Sequence, residues 1–283
     1  MEMVQLGRTG VEVSRIGFGG APAGLTNYLS TYSPSDIAKR AGIIAAIHRA
    51  IELGVTYFDT AYAYGDGASE KIFGEALQGH RQKVFIASKV PGWREVDTRQ
   101  IVETSLKNLR IDTLDLIQIH GTAFTPEDEK RALDSMLPAL ADLRDEGMVK
   151  FIGFTTEDTD PSVYNFIRSG QFDMMQICYN LIFQHPADPV RKSGVIYEAE
   201  AQNMGVVTMR TLTSGIFQKW VQWVNPENRF DYSSSLIQFV LSNPMVDVAL
   251  IGMRSVEEVE KNCTILNDSE HRIDIAKLHD RYT

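Results

Sequence analysis

Four residues of this chain carry side chains that can move a proton when they stand together. They are Asp59, Tyr64, Lys89 and His120. A free tyrosine phenol has a pKa of about 10, which is too high for efficient proton exchange at neutral pH. A lysine ammonium nearby lowers that pKa, a carboxylate keeps the lysine charged and oriented, and a histidine can donate to a substrate oxygen. The set therefore predicts a proton relay to a carbonyl oxygen.

Each of these residues lies at or just after a short apolar run that is typical of a buried strand. Asp59, Lys89 and His120 end three successive runs, and Tyr64 lies on the glycine-containing loop behind the first. The three runs are residues 55–59, 84–89 and 113–120. In barrel enzymes the active site lies at the carboxyl ends of the strands, so we expect the four side chains to meet there.

The chain repeats this strand-and-helix pattern eight times, which predicts one α/β domain over residues 1–283. Continuous apolar strands are typical of parallel sheets, and eight βα units close into a (β/α)8 TIM barrel. An N-terminal β-hairpin, with strands at 4–6 and 11–14, is predicted to close the amino-terminal mouth. The predicted strands are 15–19, 55–59, 84–89, 113–120, 151–155, 174–179, 205–209 and 246–251. The predicted helices are 36–53, 69–77, 98–109, 128–146, 161–169, 190–202, 233–242 and 255–266.

Composition excludes several classes of protein. The 283 residues are 43% hydrophobic and carry a formal charge of −9, which argues against nonspecific nucleic-acid binding. Two cysteines are too few for a disulfide scaffold, and no CxxC pair is present to bind zinc. The N-terminus lacks the pattern of a signal peptide, and no apolar run is long enough to span a membrane. We therefore expect a cytoplasmic protein with no bound metal, as a monomer or small homo-oligomer.

Each candidate residue also has a simpler interpretation. Asp59 alone fits a loop cap, and Tyr64 alone fits an aromatic at the rim. Lys89 alone fits a solvated strand end, and His120 alone fits a hydrogen-bonded core histidine. The glycines of Gly17–Gly20 lack the third glycine of a dinucleotide fingerprint, which favours a strand end closely packed by backbone. No serine or cysteine lies in a nucleophile elbow.

Three segments carry a resemblance to the aldo-keto reductase superfamily. They are Phe58–Glu70, Ser88–Lys89 and Ile119–His120, and the likeness runs from Leu6 to Asn262. The resemblance implies an NAD(P)H-dependent oxidoreductase that reduces an aldehyde or ketone, or oxidises the matching alcohol or sugar hemiacetal. It assigns the role of general acid to Tyr64, with Asp59 and Lys89 as its tuners and His120 as the donor that orients the substrate.

The resemblance also assigns residues to the nicotinamide cofactor. A serine–asparagine pair of the family is replaced here by Thr155–Thr156, so a hydroxyl remains at Thr155 while the amide is missing. Gln176 matches the other carboxamide ligand, and Met209 takes the position against the nicotinamide ring. Arg210 is interpreted either as a phosphate ligand or as a solvated loop residue. The remaining assigned residues are Leu212, Ser214, Gly215, Gly252, Arg254, Glu258 and Asn262.

The resemblance implies NADP(H) as the preferred cofactor, with NAD(H) as an alternative. Many NADPH-dependent members have an arginine where this chain has Glu258, whose carboxylate would repel a 2′-phosphate. Arg254 is the residue expected to compensate for that repulsion.

Aromatic residues are the candidates for the substrate pocket. Tyr28, Trp93 and Phe124 are expected to contact a small carbonyl or sugar-like substrate, and the tyrosine-rich loop 21–34 is a candidate lid. Two other functions stay open: a cofactor-binding regulatory subunit with negligible turnover, and an unrelated barrel lyase or isomerase. Further aromatic candidates are Tyr32, Trp220 and Trp223.

Overall fold

The strands form a closed parallel barrel. The structure is a computed structural model that describes residues 1–28, 30–267, 269–275 and 277. Within these residues an antiparallel hairpin is followed by eight strands, each of which pairs with the next along the chain while the last pairs with the first. The hairpin strands are β1 (Met3–Gln5) and β2 (Glu12–Ser14). The barrel strands are β3 (Ile16–Gly19), β4 (Tyr57–Asp59), β5 (Phe85–Pro91), β6 (Leu114–His120), β7 (Val149–Thr156), β8 (Met174–Cys178), β9 (Gly205–Met209) and β10 (Val248–Gly252). The predicted (β/α)8 barrel with its hairpin is therefore confirmed.

Helices pack around the outside of the barrel. Their bounds are α1 (Ala21–Gly24), α2 (Ile37–Glu52), α3 (Ala68–Ala76), α4 (Thr98–Leu109), α5 (Pro126–Arg131), α6 (Leu137–Asp145), α7 (Pro161–Arg168), α8 (Val195–Ala201), α9 (Ile216–Val224), α10 (Ser233–Leu241) and α11 (Val256–Ile265). The sequence did not predict α1 or α9. Most predicted helices are present, but two predictions need correction.

The prediction of a helix over 190–202 is wrong in its first part. Helix α8 begins only at Val195, after Gly194 with a φ of 114°. The preceding residues form a loop in which Asp188 accepts from the backbone N–H groups of Val190 and Arg191. The predicted helix 128–146 instead begins at Pro126, and a π-helical turn over 132–136 separates α5 from α6.

Aspartates fix the amino-terminal ends of the barrel strands. Asp115, Asp173 and Asp247 each accept a backbone N–H from the neighbouring strand, at 2.9 Å in every case. Burial raises the pKa of Asp247 to about 6. These bonds satisfy backbone donors and hold the strand register at the end opposite the candidate site.

The hairpin covers the amino-terminal mouth, as predicted. Leu6 and Val13 are fully buried against the inward-facing side chains of the barrel. Gly7 has a φ of 42°, and a Cβ there would lie 2.2 Å from the backbone nitrogen of Gly205. Only glycine permits this approach of the hairpin to the first residue of β9.

Several features predicted from composition can be compared with the described residues. No helix in this part of the chain is long and apolar enough to cross a membrane. Cys178 and Cys263 are buried and free. Among the same residues no group of three or more His, Cys, Asp or Glu side chains is placed to hold a metal ion.

Candidate active site

Glycines position the loop that carries Tyr64. Gly65 has a φ of 70°, and a Cβ at Gly65 would lie 2.3 Å from the carbonyl oxygen of Gly24. A Cβ at Gly24 would in turn lie 2.2 Å from the carbonyl oxygen of Tyr64. The absence of both side chains lets the loop after β4 pack directly on the segment after β3. Gly19 and Gly20 are packed closely in the same way, which supports the backbone-packing interpretation of the first strand end.

Other residues of the Phe58–Glu70 segment support the loop and do not face the cavity. Glu70 is fully buried and accepts from Ser88 Oγ at 2.6 Å and from Asn108 Nδ2 at 2.9 Å. Ser69 Oγ donates to the carbonyl oxygen of Gly20 at 2.9 Å. These bonds tie α3 to β5, α4 and the end of β3. Part of this segment therefore has a structural role and does not contact a ligand.

Lys89 and Asp59 form a buried ion pair beneath this loop. Lys89 is fully buried on β5, and its Nζ contacts Asp59 Oδ1 and donates to the carbonyl oxygen of Thr60 at 2.7 Å. Gln118 Nε2 donates to Asp59 Oδ2 at 3.0 Å. Burial alone would lower the pKa of Lys89, but Asp59 and Tyr64 outweigh burial and raise it. Lys89 is therefore a firmly charged ammonium.

The Asp59 carboxyl has several donors around it. Burial raises its pKa, and Lys89, Gln118 and Gln176 oppose this without reversing the direction. An acceptor surrounded by one cation and amide donors is suited to hold negative charge in a buried position. Gln118 was not predicted as a site residue. Its place two residues before His120 on one strand puts both side chains on the same face of the sheet, and that signal was available in the sequence.

Tyr64 lies over this pair. Lys89 Nζ is 4.9 Å from the centroid of the Tyr64 ring. Burial raises the pKa of the phenol, the charge of Lys89 lowers it, and Asp59 raises it again, so the net direction is upward. The predicted net lowering is wrong for this structure because the cost of burial exceeds the effect of the ammonium. The phenol is a neutral proton donor at neutral pH.

His120 completes the group from the end of β6. Its ring centroid is 5.7 Å from that of Tyr64 and 5.1 Å from that of Trp93, with edge-on geometry in both cases. Burial, with a further contribution from the Lys89 charge, lowers the pKa of His120 to about 3. Its Nδ1 is buried without a hydrogen-bond partner. His120 is therefore neutral and can offer one N–H to a ligand.

A cavity of about 450 Å³ opens at the carboxyl ends of the strands. Its size is that of a small-molecule site. Twelve residues predicted for the site line it: Tyr28, Asp59, Tyr64, His120, Gln176, Met209, Arg210, Leu212, Ser214, Gly215, Gly252 and Glu258. Two lining residues that the sequence did not single out are Thr122 and Glu157. Lys89 lies below the cavity wall.

Some predicted ligand residues lie outside the cavity. Phe124 is buried and packs edge-on against Phe166, with ring centroids 4.8 Å apart, so its assignment to the substrate pocket is corrected. Thr155 exchanges hydrogen bonds of 3.2 Å with the backbone of Gly121, so its hydroxyl is already used. Asn262 is buried in α11. Trp93 is 48% exposed beside His120 and stands at the rim.

Arg254 is committed to the loop after α1. Its guanidinium donates to the carbonyl oxygens of Pro22 and Tyr28, at 3.0 and 2.6 Å, and to Ser30 Oγ at 2.5 Å. It also stacks over the ring of Tyr32, whose hydroxyl is buried. The guanidinium charge acts on Glu258, but each of its three nitrogens already donates, so the expectation that Arg254 compensates for Glu258 stays a prediction. In the candidate lid 21–34, Leu29 lies outside the described residues.

Glu157 and Arg210 pair across the cavity wall. Arg210 Nη2 donates to Glu157 Oε1 at 2.5 Å, which links the loop after β7 to the loop after β9. Both side chains are about one-third exposed. Arg210 is thus neither a free phosphate ligand nor a solvated loop residue in this structure, because its guanidinium is paired with the Glu157 carboxylate.

The barrel and the cavity at the carboxyl ends of its strands form a small-molecule site of the TIM-barrel type. The sequence model of the "Aldo/keto reductase family" matches residues 15–236. The chain therefore belongs to this family of oxidoreductases. It is 26% identical to L-galactose dehydrogenase of Arabidopsis thaliana over 95% of this chain and 89% of that protein. These findings confirm the resemblance.

Solved structures agree with the fold. A thermostable aldo-keto reductase in complex with the inhibitor epalrestat is 25% identical, covers 100% of both chains and has a TM-score of 0.76. An aldo/keto reductase of Klebsiella pneumoniae in complex with NADP and acetate is 24% identical, with a TM-score of 0.73 over 99% of this chain and 95% of that chain.

Proposed function

We propose that the chain transfers hydride between a nicotinamide dinucleotide and a small carbonyl compound, with Tyr64 as the general acid or base. The observation that carries the proposal is the charged Lys89–Asp59 pair buried directly beneath a phenol at the cavity. The NADP in the Klebsiella pneumoniae structure supports a nicotinamide cofactor. The cofactor, when bound, supplies the hydride chemistry.

The residues of the chain manage the proton and the oxygen. In the reducing direction the neutral phenol of Tyr64 donates its proton to the carbonyl oxygen, and the ammonium of Lys89 stabilises the phenolate that is left. Asp59 keeps the ammonium oriented. Neutral His120 holds the same oxygen with one N–H, and it does not compete as an acid because its pKa is about 3.

The cavity wall has groups that fit a nicotinamide cofactor. Gln176 Oε1 is buried without a partner, which is costly unless a ligand donates to it. Its Nε2 lies 3.7 Å from Met209 Sδ, so both predicted nicotinamide contacts are adjacent. Thr155 does not add a free hydroxyl. The fit therefore depends on Gln176 for the carboxamide, with Met209 against the ring.

Isotope transfer tests the proposed function. The chain is incubated with NADH or NADPH that carries deuterium at the transferable position, together with aldehydes, ketones and aldoses; the similarity to L-galactose dehydrogenase supports including sugars. We expect deuterium on the carbinol carbon of at least one product by mass spectrometry. Tight binding of dinucleotide without any deuterated product would instead favour the regulatory function, and no binding of either dinucleotide would contradict the proposed function.

The Glu157–Arg210 pair gives a prediction about anion binding. Glu157→Gln frees Arg210 for a phosphate, so we expect tighter binding of ADP, by about twofold to fivefold at low salt because partly exposed pairs are worth about 0.2–1 kcal/mol. Calorimetric titration measures the Kd, and the gain should shrink at high salt. Glu198→Gln, which breaks the exposed Arg168–Glu198 pair, is the matched control. Unchanged or weaker ADP binding in Glu157→Gln would show that Arg210 does not reach the phosphate.

A further inference from the structure

One part of the cavity wall carries a carboxylate. Gly252, at the end of β10, and Glu258, in the first turn of α11, both line the cavity. Glu258 Oε2 accepts the backbone N–H of Arg254 at 2.6 Å, and Ser255 Oγ accepts the backbone N–H of Glu258 at 3.3 Å. These bonds fix the Glu258 carboxylate at the wall and use two of the backbone donors that a helix N-terminus would otherwise offer to an anion.

Cations on the neighbouring elements already have hydrogen-bond partners. The charge of Arg254 acts on Glu258, but each of its three guanidinium nitrogens donates to an acceptor in α1 or the loop after it. Arg40 pairs with Glu75, and Lys39 Nζ donates to a backbone carbonyl at 3.0 Å. Among the described residues that line the cavity, Arg210 is the one cation, and its partner is Glu157.

This part of the cavity wall is therefore suited to a hydroxyl donor and unsuited to a phosphate. A carboxylate accepts hydrogen bonds from the two hydroxyl groups of an adenosine ribose. A ribose 2′-phosphate carries between one and two negative charges at pH 7 and would meet the Glu258 carboxylate, while the Arg254 charge that opposes this repulsion is held by other hydrogen-bond partners. Repulsion between these negative charges disfavours a nucleotide with a 2′-phosphate relative to one with a free 2′-hydroxyl. Salt screens this repulsion because the site is exposed.

We infer that Glu258 makes the chain select NAD(H) over NADP(H), through a hydrogen bond to the ribose diol and repulsion of a 2′-phosphate. The inference rests on the proposed function, because it needs a dinucleotide whose nicotinamide lies near Tyr64 and whose adenosine lies near Glu258. It assigns to this chain a cofactor different from the NADP of the similar Klebsiella pneumoniae structure.

Nucleotide fragments without nicotinamide test the inference apart from catalysis. We expect calorimetry to give a Kd for adenosine 5′-monophosphate that is about tenfold or more below that for adenosine 2′,5′-bisphosphate, and the same order for NADH and NADPH. Glu258→Gln keeps an oxygen acceptor for the Arg254 N–H and should bring the two fragments within about threefold of each other. Glu258→Arg should reverse the order. Glu257→Gln, in the same helical turn but not lining the cavity, is the matched control and should change nothing.

The outcomes separate this inference from the proposed function. Equal or tighter binding of the 2′,5′-bisphosphate by the unaltered chain, or a binding ratio that Glu258→Gln leaves unchanged, would overturn the preference while the dinucleotide site stands. If neither the fragments nor the dinucleotides bound at all, the proposed function would fall, and the preference with it.

Discussion

Tyr64→Phe is expected to lower kcat for carbonyl reduction by about a hundredfold to ten-thousandfold, the range that a positioned general acid contributes. Phenylalanine keeps the ring against His120 and removes only the hydroxyl that donates the proton. Dinucleotide binding should stay nearly unchanged, because the cofactor contacts assigned to Gln176 and Met209 are untouched. Steady-state kinetics and a calorimetric Kd measure the two effects separately.

Tyr62→Phe is the matched control, since it removes a hydroxyl from the same loop at a residue that does not line the cavity. We expect its kcat to remain close to that of the unaltered chain. Full activity in Tyr64→Phe would show that another group supplies the proton.

The pKa direction of Tyr64 gives this variant a pH signature. Because burial raises the Tyr64 pKa, the phenol remains protonated through the neutral range, and reduction should be independent of pH there. Alcohol oxidation needs the phenolate and should therefore rise as the pH increases toward that pKa. Both features should vanish from the residual activity of Tyr64→Phe.

Lys89→Met is expected to destabilise the fold and to remove most turnover. Loss of one partner of a buried ion pair costs about 3–5 kcal/mol, because Asp59 is left as an uncompensated charge. Thermal unfolding and chemical denaturation measure this loss, and kcat should fall by about a hundredfold or more because the phenolate at Tyr64 loses its stabilising ammonium.

The destabilisation should depend on pH in a defined direction. Without the lysine, burial raises the pKa of Asp59 further, so this carboxyl binds a proton more readily in the folded variant than in the unfolded chain, and its uncompensated charge costs more as the pH rises. A raised folded-state pKa gives stability that is present below the unfolded pKa of about 4 and is lost as the pH rises through the folded value. Lys89→Met should thus be closer to the unaltered chain near pH 5 than near pH 8.

Two variants make this result specific. Lys150→Met breaks a pair with Asp115 at the opposite end of the barrel, where the lysine is half-exposed, so it should cost no more than about 1 kcal/mol and leave kcat unchanged. The double variant Lys89→Met with Asp59→Asn removes the stranded charge and should recover stability without recovering turnover. If Lys89→Met lost stability equally at both pH values, the stranded charge would not be its cause.

Much of the site was predictable because strand ends in a parallel barrel converge at one mouth. Asp59, Lys89 and His120 were placed by the apolar runs that end at them, and Tyr64 by its glycine loop. The assignment of Phe124 failed because side-chain direction after a strand end depends on packing, here against Phe166. The chemical roles of the four polar residues stay proposals, which the variants above test.

Pairing across loops could not be predicted in the same way. Glu157 and Arg210 are far apart in sequence and meet only because β7 and β9 flank β8 in the barrel. Arg254 is held by a loop that follows the first barrel strand, more than two hundred residues earlier. The direction in which the pKa of Tyr64 shifts likewise depends on how deeply the fold buries the phenol, and sequence spacing does not reveal this depth.

A direct titration of the Tyr64 phenol tests whether Tyr64 is a neutral proton donor whose ionisation is promoted by Lys89. The chain is labelled with ¹³C at the tyrosine Cζ, and the Tyr64 signal is identified by its loss in Tyr64→Phe. We predict a neutral-phenol chemical shift from about pH 6 to about pH 9. The positive charge of Lys89 moves the onset of ionisation to lower pH, so the onset should lie at higher pH in Lys89→Met. A phenolate shift near pH 7 in the unaltered chain, or a titration that Lys89→Met leaves in place, would contradict this prediction.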